Sequence, residues 1–182
     1  MVDINSSGRS LAVPVVIDTE LGTVALDVFA GAAPITAANF LGYVDAGFYD
    51  GGVFHRVVRL DNQPDSEVLI EVVQGGRGPD EPRDGLHPIK LERTTLTGLH
   101  HHDGTVSMAR FLPDSALSDF FICLGPQPEL DFGGRRNPDG QGFAAFGEVT
   151  AGMDIVHAIH ESPFEAQRLA PPIRIHHIHR VD

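Results

Sequence analysis

The sequence holds 182 residues, 42% hydrophobic and 21% charged: enough chain for one core, too apolar for a disordered segment. Thirteen Lys and Arg against 25 Asp and Glu leave a formal charge of −12, a field that repels phosphate backbones and removes nucleic acid from the expected partners. The single cysteine, Cys123, excludes an intrachain disulfide and a cysteine-based zinc site, and no run reaches the ~18 apolar residues of a membrane span, so no membrane partner is expected. Residues 1–10 are polar and carry no signal-peptide core. They read as a flexible tail before a single domain over 11–182, in the cytoplasm, or in the periplasm had a signal segment been removed.

From there, apolar runs of strand length alternate with turns. Residues 13–17 and 23–28 flank Glu20-Leu21-Gly22 as a hairpin. Pro34 opens a helix whose Ala37, Phe40, Leu41 and Val44 follow the i, i+3, i+4, i+7 pattern, and Gly47 stops it. Strands are expected over 53–58 and 68–74, with a surface loop between them at 60–67. The Gly-, Pro- and charge-rich stretch 75–88 reads as a long loop. Further strands over 105–108, 120–124, 144–149 and 173–181, with a second helix over 153–160, complete about eight strands and two helices. That inventory suits an antiparallel barrel or sandwich with helices over its ends.

Several patterns suggest chemistry and do not sustain it. His100-His101-His102-Asp103 diverges as adjacent side chains must and reads as a polar loop. His177 and His179 share a strand face by alternation, with His176 opposite, as a solvated surface. Asn137 to Glu148 approaches calcium-loop spacing, but Asn and Gln stand at its first and fifth positions and a strand follows where a helix would be required. More suggestive are Phe54-His55-Arg56 on one strand, Gln74-Gly75-Gly76 ending another, and the pair Phe120-Phe121. An Arg and a Gln beside an aromatic pocket suit recognition of an extended peptide.

At these residues the chain resembles the cyclophilin family of peptidyl-prolyl cis/trans isomerases, bacterial branch. The resemblance runs in order through Ala33-Pro34-Ile35-Thr36-Ala37-Ala38-Asn39-Phe40, Phe54-His55-Arg56-Val57-Val58, Gln74-Gly75-Gly76, Gly104-Thr105-Val106-Ser107-Met108-Ala109-Arg110, Phe120-Phe121-Ile122 and Phe143-Ala144-Ala145-Phe146-Gly147. It implies a mainly β fold, a closed eight-stranded antiparallel β-barrel capped by two α-helices, acting on X-Pro bonds of unfolded or flexible polypeptides with no cofactor and no metal. A monomer is expected. Arg56, Gln74 and Phe121 match the family's catalytic arginine, its polar neighbour and the floor of the proline pocket; Val72, Leu130 and Phe143 match the pocket walls. Ala109 and Arg110 fall where the substrate backbone is held, and His55 matches in sequence while facing away from Arg56 by strand alternation.

Three acidic departures stand out against that pattern. Glu71 occupies the place of a pocket aromatic, Asp119 that of a Gln before the Phe pair, and Glu129 that of a Trp or Phe before Leu130. Three carboxylates around the groove imply that Asp119 pairs with Arg56 and weakens catalysis, that Lys- or Arg-bearing peptides are preferred, and that binding of the cyclic peptide cyclosporin is weak or absent. The alternative is therefore a weakly active or inactive cyclophilin-like chaperone or binding module that holds proline segments without appreciable turnover.

Overall fold

The computed structural model describes residues 11–181, so the expected tail over 1–10 lies outside the described residues. β1 (Ala12–Thr19) and β2 (Gly22–Phe29) form the opening hairpin, with Thr19 Oγ1 donating to the Gly22 carbonyl at 2.7 Å across the turn. Val15, Ile17, Val24, Leu26 and Val28 alternate into the interior. α1 (Pro34–Asp45) follows. Its open N-terminus is capped from a distant loop: the Glu92 carboxylate accepts from the Ile35 and Thr36 amides at 3.1 and 2.8 Å.

The remaining strands are β3 (Val53–Val58), β4 (Val72–Gly76), β5 (Thr105–Met108), β6 (Phe120–Cys123), β7 (Ala145–Ala151), the short β8 (Phe164–Glu165) and β9 (Arg168–Arg180). The antiparallel order β1-β2-β7-β5-β6-β4-β3-β9 closes through β9 pairing back to β1, which makes a barrel of eight strands and leaves only β8 as an appendage on β9. Closure removes the edges at which an open sheet recruits other strands. α1 and α3 (Met153–His160) pack against the barrel, and a one-turn helix that the sequence did not signal, α2 (Thr94–Thr97), lies between them in the chain.

Two apolar clusters fill the molecule. The larger occupies the barrel interior, where Phe40 meets Tyr49, Phe120 and Phe146 at ring distances of 5.5, 5.5 and 5.0 Å. The smaller lies on the outside of β3, β4 and β6 and consists of Val58, Ile70, Val72, Phe121, Cys123 and Leu130, with Ala109 and Phe143 against it. β5 and β6 are buried on both faces, which explains the unbroken apolar run of β6, Phe120-Phe121-Ile122-Cys123.

Three element readings change. The strand expected over 68–74 begins only at Val72, because side chains take the backbone groups a ladder would use: Gln63 bonds both the carbonyl and the amide of Ile70, and Arg136 bonds the Val68 carbonyl. The strand expected over 173–181 starts earlier, at Arg168, where it pairs with β8. In the same strand a bulge opposite Asp18 and Thr19 breaks alternation, so His176 and His177 are both exposed between the buried Ile175 and Ile178.

Candidate active site

Arg56 and Gln74 are cross-strand partners in the β3–β4 ladder, so the sheet register alone brings them together. Arg56 Nη1 donates to Gln74 Oε1 at 3.0 Å, while its Nε and Nη2 both donate to Gln167 Oε1, at 3.0 and 2.6 Å. Gln167 is itself held by donating to the Asn62 carbonyl at 3.0 Å. Three of five guanidinium N–H groups are thus committed, and Nη1 and Nη2 each keep one for a ligand among the described residues. No carboxylate among the described residues pairs with Arg56. Burial, and then the positive charge of Arg136, pull its pKa down from the ordinary guanidinium value.

Beside this arm lies a cleft of about 730 Å³ whose floor is Phe121 and whose walls include Val72, Ile70, Leu130, Ala109 and Phe143. Phe143 stands edge-on to Phe121, 5.4 Å between centroids and 89° between planes. The residues expected from the sequence as Arg, Gln and apolar pocket do meet in one place. His55 lines the same cleft, against the expectation from alternation, because it is the extra residue of a bulge between Phe54 and Arg56. Gly75 and Gly76 are required here: a Cβ on Gly75 would come within 2.9 Å of the Phe54 ring, and one on Gly76 would run into the Asp119 carboxylate.

The family model described as cyclophilin type peptidyl-prolyl cis-trans isomerase/CLD matches residues 14–180. The chain belongs to the cyclophilin family. It is 39% identical over 145 residues to a peptidyl-prolyl cis-trans isomerase of Streptomyces antibioticus, covering 79% of this chain and 80% of that protein. With peptidyl-prolyl cis-trans isomerase B of Escherichia coli it shares 36% identity over 143 residues, 78% of this chain and 80% of the other. In fold it is similar to a crystal structure of a cyclophilin type isomerase from Cryptosporidium parvum, with a TM-score of 0.75 at 21% identity, covering 94% and 98% of the two chains. This cyclophilin is accordingly a peptidyl-prolyl cis-trans isomerase.

Its acidic departures are arranged differently from the sequence expectation. Asp119 does not take Arg56. It accepts from Arg83 Nη1 and Nη2, both at 3.2 Å, and from Gln74 Nε2 at 3.4 Å, while His55 Nε2 stands 3.3 Å away off the hydrogen-bond direction. Burial works to raise the Asp119 carboxyl, but its His55 and Arg83 neighbours outweigh it and hold the group below the usual carboxylate range. A carboxylate only accepts, so Asp119 turns the Gln74 amide N–H₂ towards itself and leaves Gln74 Oε1 for Arg56. The residue expected to divert the arginine instead orients its partner.

Glu71 and Glu129 do not line the cleft of this cyclophilin. Glu71 points towards His160, 3.8 Å away, and Ile70 supplies the apolar wall in its place. Glu129 is drawn outward by Arg135, whose amide donates to it at 2.7 Å and whose Nη2 does so at 2.9 Å. Arg110 was expected to act through its main chain. Its side chain is 1% exposed, pairs through both Nη atoms with Asp139 at 2.9 Å, donates to the Gly142 carbonyl, and lies 5.1 Å from the centre of the Phe143 ring. It pins the segment that resembled a calcium loop onto the pocket wall.

The His100–Asp103 stretch also departs from a plain polar loop. His101 is 1% exposed, stacks on the back of Phe121 at 6.1 Å and 14°, and sits with Nδ1 2.6 Å from Asp131 Oδ1 and Nε2 2.9 Å from Ser107 Oγ. A neutral ring satisfies both contacts, donating from Nδ1 and accepting from the hydroxyl. Burial, only partly offset by Asp131, lowers its pKa and favours that neutral form. Sequence reasoning missed Gln167, Ile70, Arg83 and Arg136. Gln167 and Arg83 lie in connections without a motif, and Ile70 was read as part of a strand. Among the described residues no group of three or more His, Cys, Asp or Glu is placed to hold a metal ion, and no helix is long and apolar enough to cross a membrane.

Proposed function

We propose that this cyclophilin isomerises X-Pro bonds in flexible polypeptides with Arg56 as its catalytic residue and the Phe121 cleft as its proline pocket. Rotation about an X-Pro amide meets a barrier of about 18–20 kcal/mol because the twisted state loses resonance and localises the lone pair on nitrogen. A prolyl ring seated on Phe121 among Val72, Ile70, Leu130 and Phe143 leaves water behind. The free N–H groups of Arg56 then donate to the prolyl nitrogen as its lone pair appears. The bond is weak in the planar ground states and strong in the twisted one, so it lowers the barrier, by 1.36 kcal/mol for each tenfold of rate. No bond is made or broken. Gln74 and Gln167 hold the guanidinium through neutral acceptors that position it without cancelling its charge.

The observation that carries this reading is the cation of Arg56 beside an apolar aromatic pocket with two N–H donors uncommitted. Proline-containing polypeptides are the expected partners, a monomer the expected state, and the cytoplasm the compartment, with the periplasm as its alternative. Weak cyclosporin binding follows from Glu129, which offers no aromatic surface. Exchange NMR on a neutral Ala-Pro peptide, beside a titration of the same peptide, tests the reading: accelerated cis/trans exchange supports it, and saturable binding without acceleration would establish the holding module instead.

A further inference from the structure

Four arginines line the cleft, Arg56, Arg83, Arg110 and Arg136, against one carboxylate, Asp119. Their partners differ. Arg83 is neutralised by Asp119 and Arg110 by Asp139. Arg136 carries no such partner: its Nη1 donates to Gln63 Oε1 at 2.8 Å, Ser66 Oγ at 2.9 Å and the Val68 carbonyl at 2.7 Å, all neutral, and its Nε and Nη2 make no hydrogen bond among the described residues. Arg136 lines the same cleft as Arg56 and its positive charge acts on Arg56, while burial weakens the solvation that would screen both. Asn137, the next residue, lines the same cleft with Nδ2 buried and without an acceptor. Two half-buried guanidinium groups line one space, neither ion-paired among the described residues, and the one carboxylate of the lining, Asp119, is taken by Arg83; the cleft wall is thus a site for a negative charge.

We propose that Arg136 is a specificity-determining residue that selects X-Pro segments carrying an anionic side chain next to the proline, a carboxylate or a phosphate. The inference rests on the isomerase reading above and reverses the preference for basic peptides drawn from the sequence. The anion accepts from Arg136 Nε and Nη2 while the prolyl ring occupies the Phe121 pocket, and it relieves the repulsion between Arg136 and Arg56. Lysine at the same place adds a third cation to an uncompensated pair.

The test is exchange NMR on peptides that differ in one residue before or after proline: Glu, its isostere Gln, Lys, and phosphoserine, with Ala-Pro as reference. On at least one side of the proline, wild type is expected to turn over Glu about tenfold better than Gln in kcat/KM, with Lys below Gln. Arg136→Gln brings the Glu/Gln ratio to about one and Arg136→Lys, which keeps the charge, preserves most of it. Should Arg136→Gln not fold, the Arg136 Nε–Hε resonance of wild type supplies the readout, shifting with the Glu peptide and not with the Gln peptide. Phosphoserine above Glu identifies phosphorylated segments as the source, and Glu above phosphoserine acidic ones. Ratios near one on both sides, a ratio that survives Arg136→Gln, or no Glu-specific shift would overturn the proposal. Ala-Pro separates the two failures: without acceleration of Ala-Pro the isomerase reading itself falls, whereas accelerated Ala-Pro with flat charge ratios sinks only the anion preference.

Discussion

Arg56 and Arg110 enter the same cleft and are opposites. Arg110 is sealed at 1% exposure against a carboxylate, a backbone carbonyl and the Phe143 ring. Arg56 is held as firmly, by three hydrogen bonds, yet only by the neutral oxygens of Gln74 and Gln167. A guanidinium whose charge is cancelled fastens structure. One that is fixed in place with its charge intact suits the catalytic role proposed for Arg56, in which its field is spent only when a lone pair develops in front of it.

The sharpest way to break that contrast is at Arg56. Arg56→Ala is expected to lower kcat/KM on Ala-Pro peptides by about 10²–10³-fold. Its thermal midpoint should fall less than that of Arg110→Ala, since three hydrogen bonds to neutral oxygens are lost but no ion pair. Arg110→Ala should do the reverse, costing about 1–3 kcal/mol of stability from lost charged hydrogen bonds and packing, read by urea denaturation, with turnover falling less than in Arg56→Ala. Gln167→Ala tests whether the neutral clamp matters: a loss of about tenfold in kcat/KM with little change in urea midpoint is expected, and Gln167→Glu, which supplies a carboxylate to the guanidinium, should be slower than Gln167→Ala.

A smaller effect concerns the back of the pocket. His101 has a folded-state pKa below its unfolded value, so the unfolded chain binds the extra proton. Stability from this group is complete above about pH 6.5 and is lost as the pH falls towards the folded pKa. Thermal midpoints measured from pH 7.5 down to pH 5 should decline, and His101→Asn should flatten part of that slope. Smallest of all, Glu129→Gln should change Ala-Pro turnover by less than about twofold, because Arg135 holds that carboxylate outside the cleft.

The strands and the two main helices were legible from short-range pattern, alternation in β1 and β2 and the 3.6 period of α1, which left barrel and sandwich both open; the closed barrel and the grouping of Arg56, Gln74 and Phe121 as one site were implied by the family resemblance of their motifs. What was not legible depends on residues far apart in the chain. Asp119 stands within reach of Arg56 in any register argument, but its true partner, Arg83, arrives on a loop 36 residues away. The same holds for Gln167, 111 residues from Arg56, and for Arg136, which folds back on the segment 63–68 and stops a strand that propensity favoured. Bulges did the remaining damage. One extra residue, His55, puts two neighbours into one cleft where simple alternation separates them. The sign of the site's charge changed through the distant pairs: counting carboxylates in sequence gave an acidic groove, whereas their pairing leaves an excess of guanidinium.

The most direct measurement compares Arg56→Ala and Arg110→Ala at equal folded concentration, following cis/trans exchange of one Ala-Pro peptide and the thermal midpoint of each protein. The account predicts that exchange collapses in Arg56→Ala with the smaller loss of midpoint, while Arg110→Ala loses more midpoint and keeps measurable exchange. Full exchange activity in Arg56→Ala, or a loss of activity that merely tracks the midpoint in both variants, would contradict it.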